Sequence, residues 1–296
     1  MNIHQTKAHA DFLRSIGWII EEKIIRGTRV YAFVRELPVL SISVLKLQRI
    51  CPKLIDEEWI EYLEKKYHVY ETLVEIDELD LYPKTIDLAK FMPAADFMLT
   101  TKTRIIDLSQ SEDLMLAAMK PKTRYNIHVA SKHALFTSIW STKVIAGNDD
   151  LFEMIYGLLR TNAARIKMLL LPKQWIKKQF GCFGNDGFVI GVFDAKKRLV
   201  NAAVFYCSDT TCSYNHNGST EIGRRFMGPT LAVWEGIKEG KRRGSLTFDF
   251  DGVFDERYPH TQKRFQGFGR FKEGFGGNEL YFQPMYRKMR NPLSLW

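Results

Sequence analysis

Gly187-Phe-Val-Ile-Gly-Val-Phe193, Leu199-Val-Asn-Ala-Ala-Val-Phe-Tyr-Cys207 and Cys212-Ser-Tyr-Asn-His216 are three short runs of β-branched and aromatic residues. Two polar stretches, Asp194-Ala-Lys-Lys-Arg198 and Ser208-Asp-Thr-Thr211, separate them. Runs of this length and composition, punctuated this closely, predict three antiparallel strands. A helix over 229–241 and a strand over 246–250 follow. The sum is an α+β architecture with antiparallel hairpins and helices on the sheet faces.

Earlier in the chain, strands are expected at 29–37, 39–47, 71–76, 104–108 and 135–140. Helices are expected at 11–16, 56–67, 111–119, 121–132, 149–164 and 172–180. Asp56 is a candidate N-cap, with Trp59, Ile60, Leu63 and Tyr67 forming one apolar stripe behind it. Pro121 suits the first turn of its helix. Residues 77–101, with Pro83 and Pro93, show no period, and a second unit is expected to begin near their end. A last strand at 280–283 leads into a basic tail.

The chain has 296 residues, 45% hydrophobic and 26% charged, the balance of a soluble globular protein of one or two domains. No run of about 18 apolar residues predicts a membrane span. The first residues lack the apolar core of a signal peptide, so a cytoplasmic location is expected. Cys51, Cys182, Cys207 and Cys212 form no Cys-x-x-Cys pair, and none of the seven histidines sits in a metal-ligand motif. Neither a metal nor a bound cofactor is expected. Lysine and arginine number 43 against 34 acids, a net charge of +9, which favours polyanions such as RNA, nucleotides or an acidic membrane surface. The cations are scattered, so a groove or face suits them better than a disordered arm. Met168-Leu-Leu-Leu171 reads as core rather than as a lipid contact.

Three segments carry candidate chemistry. Arg270-Phe-Lys-Glu-Gly-Phe-Gly-Gly277 puts a lysine beside glycines, which let a ligand approach the backbone; an ammonium there can stabilise developing negative charge. Its bland alternative is a tight turn with a solvated lysine. Lys120-Pro-Lys-Thr-Arg-Tyr-Asn-Ile127 gathers cations at a helix N-terminus, against the helix dipole, and an anionic ligand would relieve that. Its alternative is a solvated basic face. Arg224-Arg-Phe-Met-Gly-Pro-Thr-Leu231 precedes a helix whose N-terminus could hold an anion. There Arg225 and Gly228 fit a coenzyme A pyrophosphate loop of the GNAT N-acyltransferases, although Pro229 removes one donor. The element order after residue 187 is also compatible with a GNAT domain.

Taken in order, the Lys120–Ile127 segment followed by Ala130, then Phe248-Asp-Phe-Asp-Gly252, then Arg270–Gly277 resemble the FemABX family of aminoacyl-tRNA-dependent peptidyltransferases. Gln5 and Phe12-Leu-Arg-Ser-Ile-Gly-Trp18 also fit that family's opening helix. The resemblance implies two tandem GNAT-like domains with mixed, largely antiparallel sheets flanked by helices. Their expected bounds are residues 1–101, with 283–296 returning to them, and 102–282. The chain looks like the compact FemX type, because no long coiled-coil arm interrupts the second domain.

The resemblance implies transfer of an amino acid from aminoacyl-tRNA, as co-substrate, to a stem-peptide amine of a peptidoglycan precursor, in cell-wall biogenesis and cell shape. The precursor is nucleotide- or lipid-linked, with peripheral membrane association as one alternative. Carried over by motif, Lys272 is the catalytic residue, and Phe271, Lys272, Gly274, Lys120 and Lys122 are on the tRNA side. Arg14, Asp77, Arg124, Tyr125, Arg165, Tyr214 and His216 are the substrate-binding candidates. The family's diphosphate-binding lysine has only a displaced counterpart in Arg14. No arginine stands at Leu171, where a second would fall, although Arg165 and Lys167 are close. Two alternatives stand beside this reading: an acyl-CoA-dependent N-acyltransferase using Arg225 and Gly228, and a non-catalytic RNA- or precursor-binding relative.

Overall fold

The computed structural model describes residues 2–37, 41–80, 88, 90–259 and 266–290. Pro38, Val39, Pro83 and the end of the basic tail lie outside the described residues. The chain forms two compact units, one of Asn2–Thr103 with the segment that begins at Glu279, the other of Arg104–Asn278.

The first unit contains α1 (Lys7–Ser15), β1 (Ile19–Ile25), β2 (Thr28–Leu37), β3 (Ile42–Ile50), α2 (Glu57–Lys66), β4 (Val69–Ile76), β5 (Leu79–Asp80) and β6 (Met92–Pro93). From beyond the second unit come β13 (Asn278–Phe282) and β14 (Tyr286–Met289). Its sheet has the order β1-β2-β3-β4-β14-β6. β3 and β4 run parallel, and α2 makes the crossover. Asp56 caps α2 as expected, its side chain accepting the Trp59 N–H. Trp59, Ile60 and Leu63 then join Val30, Val34 and Leu45 in one apolar cluster. β2 is buried on both faces: Tyr31 and Phe33, on the side opposite that cluster, are also covered, and His9 of α1 meets the Phe33 ring edge-on at 5.6 Å. Gln5 ties the chain's beginning to the sheet, donating to the carbonyls of Tyr31 and Gln48 and accepting the Tyr31 N–H.

Two expectations change here. β1 lacks an alternating pattern and escapes detection in the sequence; its pairing with β2 holds it, in register from Ile19↔Val34 to Ile25↔Thr28. The stretch read as a basic tail contains β14, which pairs antiparallel with β4 through Tyr286↔Val74 and buries Tyr286.

The second unit takes up β7 (Lys102–Asp107), α3 (Glu112–Ala118), α4 (Pro121–Lys132), β8 (Phe136–Ser141), α5 (Thr142–Ala146), α6 (Asp149–Arg165) and α7 (Lys173–Phe183). Then come β9 (Gly187–Phe193), β10 (Leu199–Cys207), β11 (Thr211–Ser219), α8 (Glu221–Arg225), α9 (Gly228–Arg242), β12 (Thr247–Asp249) and α10 (Gln266–Glu273). The strands follow the order β7-β12-β11-β10-β9-β8, antiparallel except for β11 and β12, which α8 and α9 connect. This is the mixed, largely antiparallel architecture expected of the decisive stretch.

Two glycines set how closely helices lie on this sheet. A Cβ on Gly218 would stand 2.4–2.6 Å from the backbone of Leu158 and Leu159, so α6 rests directly on β11. A Cβ on Gly236 would stand 2.2 Å from the Phe205 ring, so α9 covers the other face at contact distance. Leu231, Val233, Trp234 and Ile237 of α9 share a core with Phe188, Phe205 and Phe248.

Candidate active site

β10 and β11 slip register where Val204 faces His216 but Phe205 faces Tyr214, which leaves Asn215 as an extra residue. A bulge re-aims side chains. Here it brings Tyr214, Asn215, His216 and Asn217 to the wall of one cleft of about 650 Å³. The end of α6 supplies Asn162 and Arg165, the following segment supplies Ile166, Met168, Leu169 and Leu170, and α10 supplies Phe268, Phe271 and Lys272. Arg224 and Asp251 complete the charged lining. The cleft is built wholly from the second unit.

Lys272 is only 8% exposed. Its Nζ donates to the carbonyls of Phe250 and Gly252, each at 2.6 Å, and stands 3.4 Å from that of Asp251. It also lies 5.8 Å from the centre of the Tyr214 ring. Burial lowers its pKa from 10.5 to about 8, against the opposing pull of the Asp251 and Asp249 carboxylates. Asp251 has a φ of +48°, and its N–H is tied to the Asp249 side chain at 2.8 Å. A non-glycine residue rarely holds that conformation unless its surroundings fix it. Lys272 and Asp249 do so together. Burial drives the imidazole of His216, another lining residue, down to about 4. Burial raises the Tyr214 phenol. Both are neutral near pH 7.

The Arg270–Gly277 segment differs from the glycine-rich loop expected. Lys272 sits in the last turn of α10, where the C-terminal dipole favours a cation. The glycines serve packing rather than ligand approach. A Cβ on Gly274 would fall 2.3 Å from the Thr123 hydroxyl of α4. Gly276 and Gly277 have φ of +83° and +75°, and a Cβ at either would press on the backbone of Ala118 or Ile105. Arg104 donates to both their carbonyls.

The basic start of α4 has partners within the chain. Arg124 caps the carbonyl end of α3, donating to Ala117 at 3.1 Å and to Met119. Lys120 pairs with Glu273 at 2.5 Å, and its N–H bonds the Gly274 carbonyl. These contacts offset part of the charge set against the α4 dipole. Lys122 and Tyr125 are exposed, and none of these four residues lines the cleft.

Of the other sequence-named residues, the structure brings Arg165, Tyr214, His216, Phe271 and Lys272 together. Arg165 donates to the Asn162 side chain at 2.8 Å, and Asn162 in turn donates to the Asn217 carbonyl. Arg14 and Asp77 belong to the first unit. Arg14 pairs with Asp11 at 2.5 Å, and Asp77 accepts from Asn2 at 3.1 Å. Arg225 lies over the Phe226 ring, outside the cleft. Its neighbour Arg224 lines the cleft instead, and donates to the Ser219 carbonyl at 2.7 Å; Asn162, Asn215, Asn217, Asp251 and Phe268 are further lining residues that the sequence did not single out as site residues. Gly228 opens α9 against the Gly223 carbonyl, 3.0 Å from its would-be Cβ. Met168-Leu-Leu-Leu171 is not core: Leu169 is 99% exposed and none of the four is buried.

Among the described residues no group of three or more His, Cys, Asp or Glu side chains could hold a metal ion. No helix there is long and apolar enough to cross a membrane.

Residues 192–281, which include β10, β11, β12 and Lys272, match the sequence model of the FemAB family. The sequence likeness to that family is carried by this segment of the second unit. The fold agrees. The crystal structure of FemX superposes with a TM-score of 0.82 at 12% identity, covering 99% of this chain and 93% of that one. The C-terminal domain of a putative lysylphosphatidylglycerol synthetase from Agrobacterium fabrum gives 0.63 at 11%, covering 99% and 90%. A tandem GNAT protein from the clavulanic acid pathway gives 0.53 at 8%, covering 92% and 83%. At these identities the likenesses define two GNAT-like domains in tandem. No curated protein matches the sequence.

Proposed function

We propose that the chain is an aminoacyltransferase that moves an amino acid from aminoacyl-tRNA to an amine of a peptidoglycan precursor. The observation that carries this reading is Lys272, a lysine of the family-matched segment, buried at the wall of the cleft and held on three consecutive carbonyls. The acceptor amine attacks the ester carbonyl and a C–N bond forms. The C–O bond to the ribose breaks, and the amine proton passes to the departing ribose oxygen. An ester is already activated, so the site's task is to align the reactants and stabilise the oxyanion. A fixed ammonium beside the acyl carbon does the second.

Direct transfer also suits the lining. It includes no cysteine, and the Ser219 hydroxyl is spent on the carbonyls of Val200 and Thr220. The acyl-CoA alternative draws on the tandem GNAT likeness. It is weakened at α9, where Pro229 lacks an N–H and the Thr230 and Leu231 N–H groups bond the Met227 carbonyl.

The test is incubation with a mixed charged-tRNA pool and with nucleotide- and lipid-linked precursors, read by mass spectrometry. A precursor heavier by one amino acid residue supports the proposal. Acyl transfer from acetyl-CoA, with none from charged tRNA, overturns it.

A further inference from the structure

The segment after α6 presents leucine to solvent at the mouth of the cleft. α6 closes with the Ile166 N–H bonded to the Asn162 carbonyl at 3.0 Å. Lys167 then takes a left-handed φ of +54°, and Met168 N–H reaches back to the Ala163 carbonyl. This left-handed stop turns the chain away from the helix axis. Four consecutive apolar residues, 168–171, follow before Pro172 and α7. Leu169 is 99% exposed, while Met168, Leu170 and Leu171 are partly exposed.

Charge is sorted along the same helix. α6 begins with Asp149, Asp150 and Glu153, of which Asp149 pairs with Lys177 and Glu153 with Lys173. It ends with Arg160 and Arg165, both exposed, and Lys167 follows. At 1.5 Å per residue the acidic start lies roughly 20 Å from the leucine tip. The tip therefore projects from the end of the helix that carries the cationic side chains.

We propose that residues 165–171 seat on an anionic bilayer surface, with Leu169 entering the interface and Arg160, Arg165 and Lys167 meeting lipid phosphates. Cations beside an exposed apolar tip are the combination that binds such surfaces. The leucine decides between polyanions. RNA phosphates would satisfy the three cations but leave Leu169 in water. Because Ile166, Met168, Leu169 and Leu170 also line the cleft, docking would hold its mouth at the membrane. Where the aminoacyltransferase reading holds, the acceptor amine then belongs to a lipid-anchored precursor, not a free nucleotide; the docking itself does not depend on that reading.

Co-sedimentation of the full chain with vesicles of phosphatidylcholine alone, or mixed with phosphatidylglycerol, tests it without any donor or acceptor. The expected result is binding that needs phosphatidylglycerol and weakens with salt. Lys167→Glu should weaken it by about fivefold or more, the effect of at least one surface cation, and Leu169→Asp by about tenfold. Unchanged circular dichroism and melting would show that both variants are folded. Binding equal in wild type and Leu169→Asp, or no binding to phosphatidylglycerol vesicles at low salt, overturns the proposal. If charged-tRNA transfer fails while vesicle binding follows the pattern, the function reading falls and the docking stands.

Discussion

The Lys272 ammonium reaches the Gly252 carbonyl at 2.6 Å and joins the last turn of α10 to the left-handed turn that follows β12. One side chain therefore does two things: it holds Asp251 and Gly252 in place, and it sets a positive charge in the cleft wall.

The pH dependence follows from its burial. The folded pKa is about 8, against 10.5 for the unconstrained group. Between these values the unfolded chain binds more protons than the native one, so this residue makes stability rise from about pH 8 to 10.5 and contributes no slope below. Urea melts of wild type minus Lys272→Met should show that difference. Catalysis should move oppositely: transfer that needs the ammonium falls above about pH 8, and Lys272→Arg, if active, pushes that limb upward. A limb unmoved in Lys272→Arg would assign it to another group.

His9 should limit stability in acid. Burial holds its ring near pKa 4, and Nε2 lies 3.0 Å from the Gln48 side-chain oxygen. An unfolded histidine takes its proton near 6.5, so native stability is lost as pH falls from about 6.5 to 4. The loss at pH 5 should be on the order of 1–2 kcal/mol. His9→Gln should flatten that part of the profile in chemical denaturation; an unchanged slope would place the sensitivity elsewhere.

Tyr206 is fully buried, and its hydroxyl has no hydrogen-bond partner. Its ring packs 4.0 Å from that of Phe183. An unpaired buried hydroxyl is a cost that phenylalanine avoids without changing shape. Tyr206→Phe should be neutral or stabilising by up to about 1 kcal/mol. A clear loss of melting temperature would reveal a bonded hydroxyl.

Gly277→Ala should destabilise by about 3 kcal/mol or more, combining a strained positive φ with a Cβ set 2.3 Å from the Ile105 carbonyl oxygen. Gly267→Ala in α10, with open space around its Cβ, is the control and should change stability little or raise it. Equal denaturation midpoints for the two would refute the packing role of the Gly276-Gly277 pair.

Local signals were legible in the sequence. The strands at 187–193 and 199–207 have the bounds their composition suggested, and Asp56 and Ser111 cap the helices they were expected to start. Lys272 was singled out through its motif, and the structure places it in the cleft wall. What stayed hidden depends on distant pairing. β1 is a strand because β2 lies beside it. The Asn215 bulge exists only as a register slip between two strands, yet it shapes the cleft. Arg224 and Arg225 are chemically identical in sequence, and only the turn of α8 decides which one faces the cavity. Residues 168–171 carried a core composition, but the left-handed Lys167 turned them outward.

The most direct measurement is single-turnover transfer from a charged-tRNA pool to precursor by wild type and by Lys272→Ala, with both confirmed as folded by circular dichroism. Loss of one placed charge donor should slow the chemical step by about 10²–10³-fold, while tRNA binding at fixed salt changes little. Full transfer by Lys272→Ala would contradict the account.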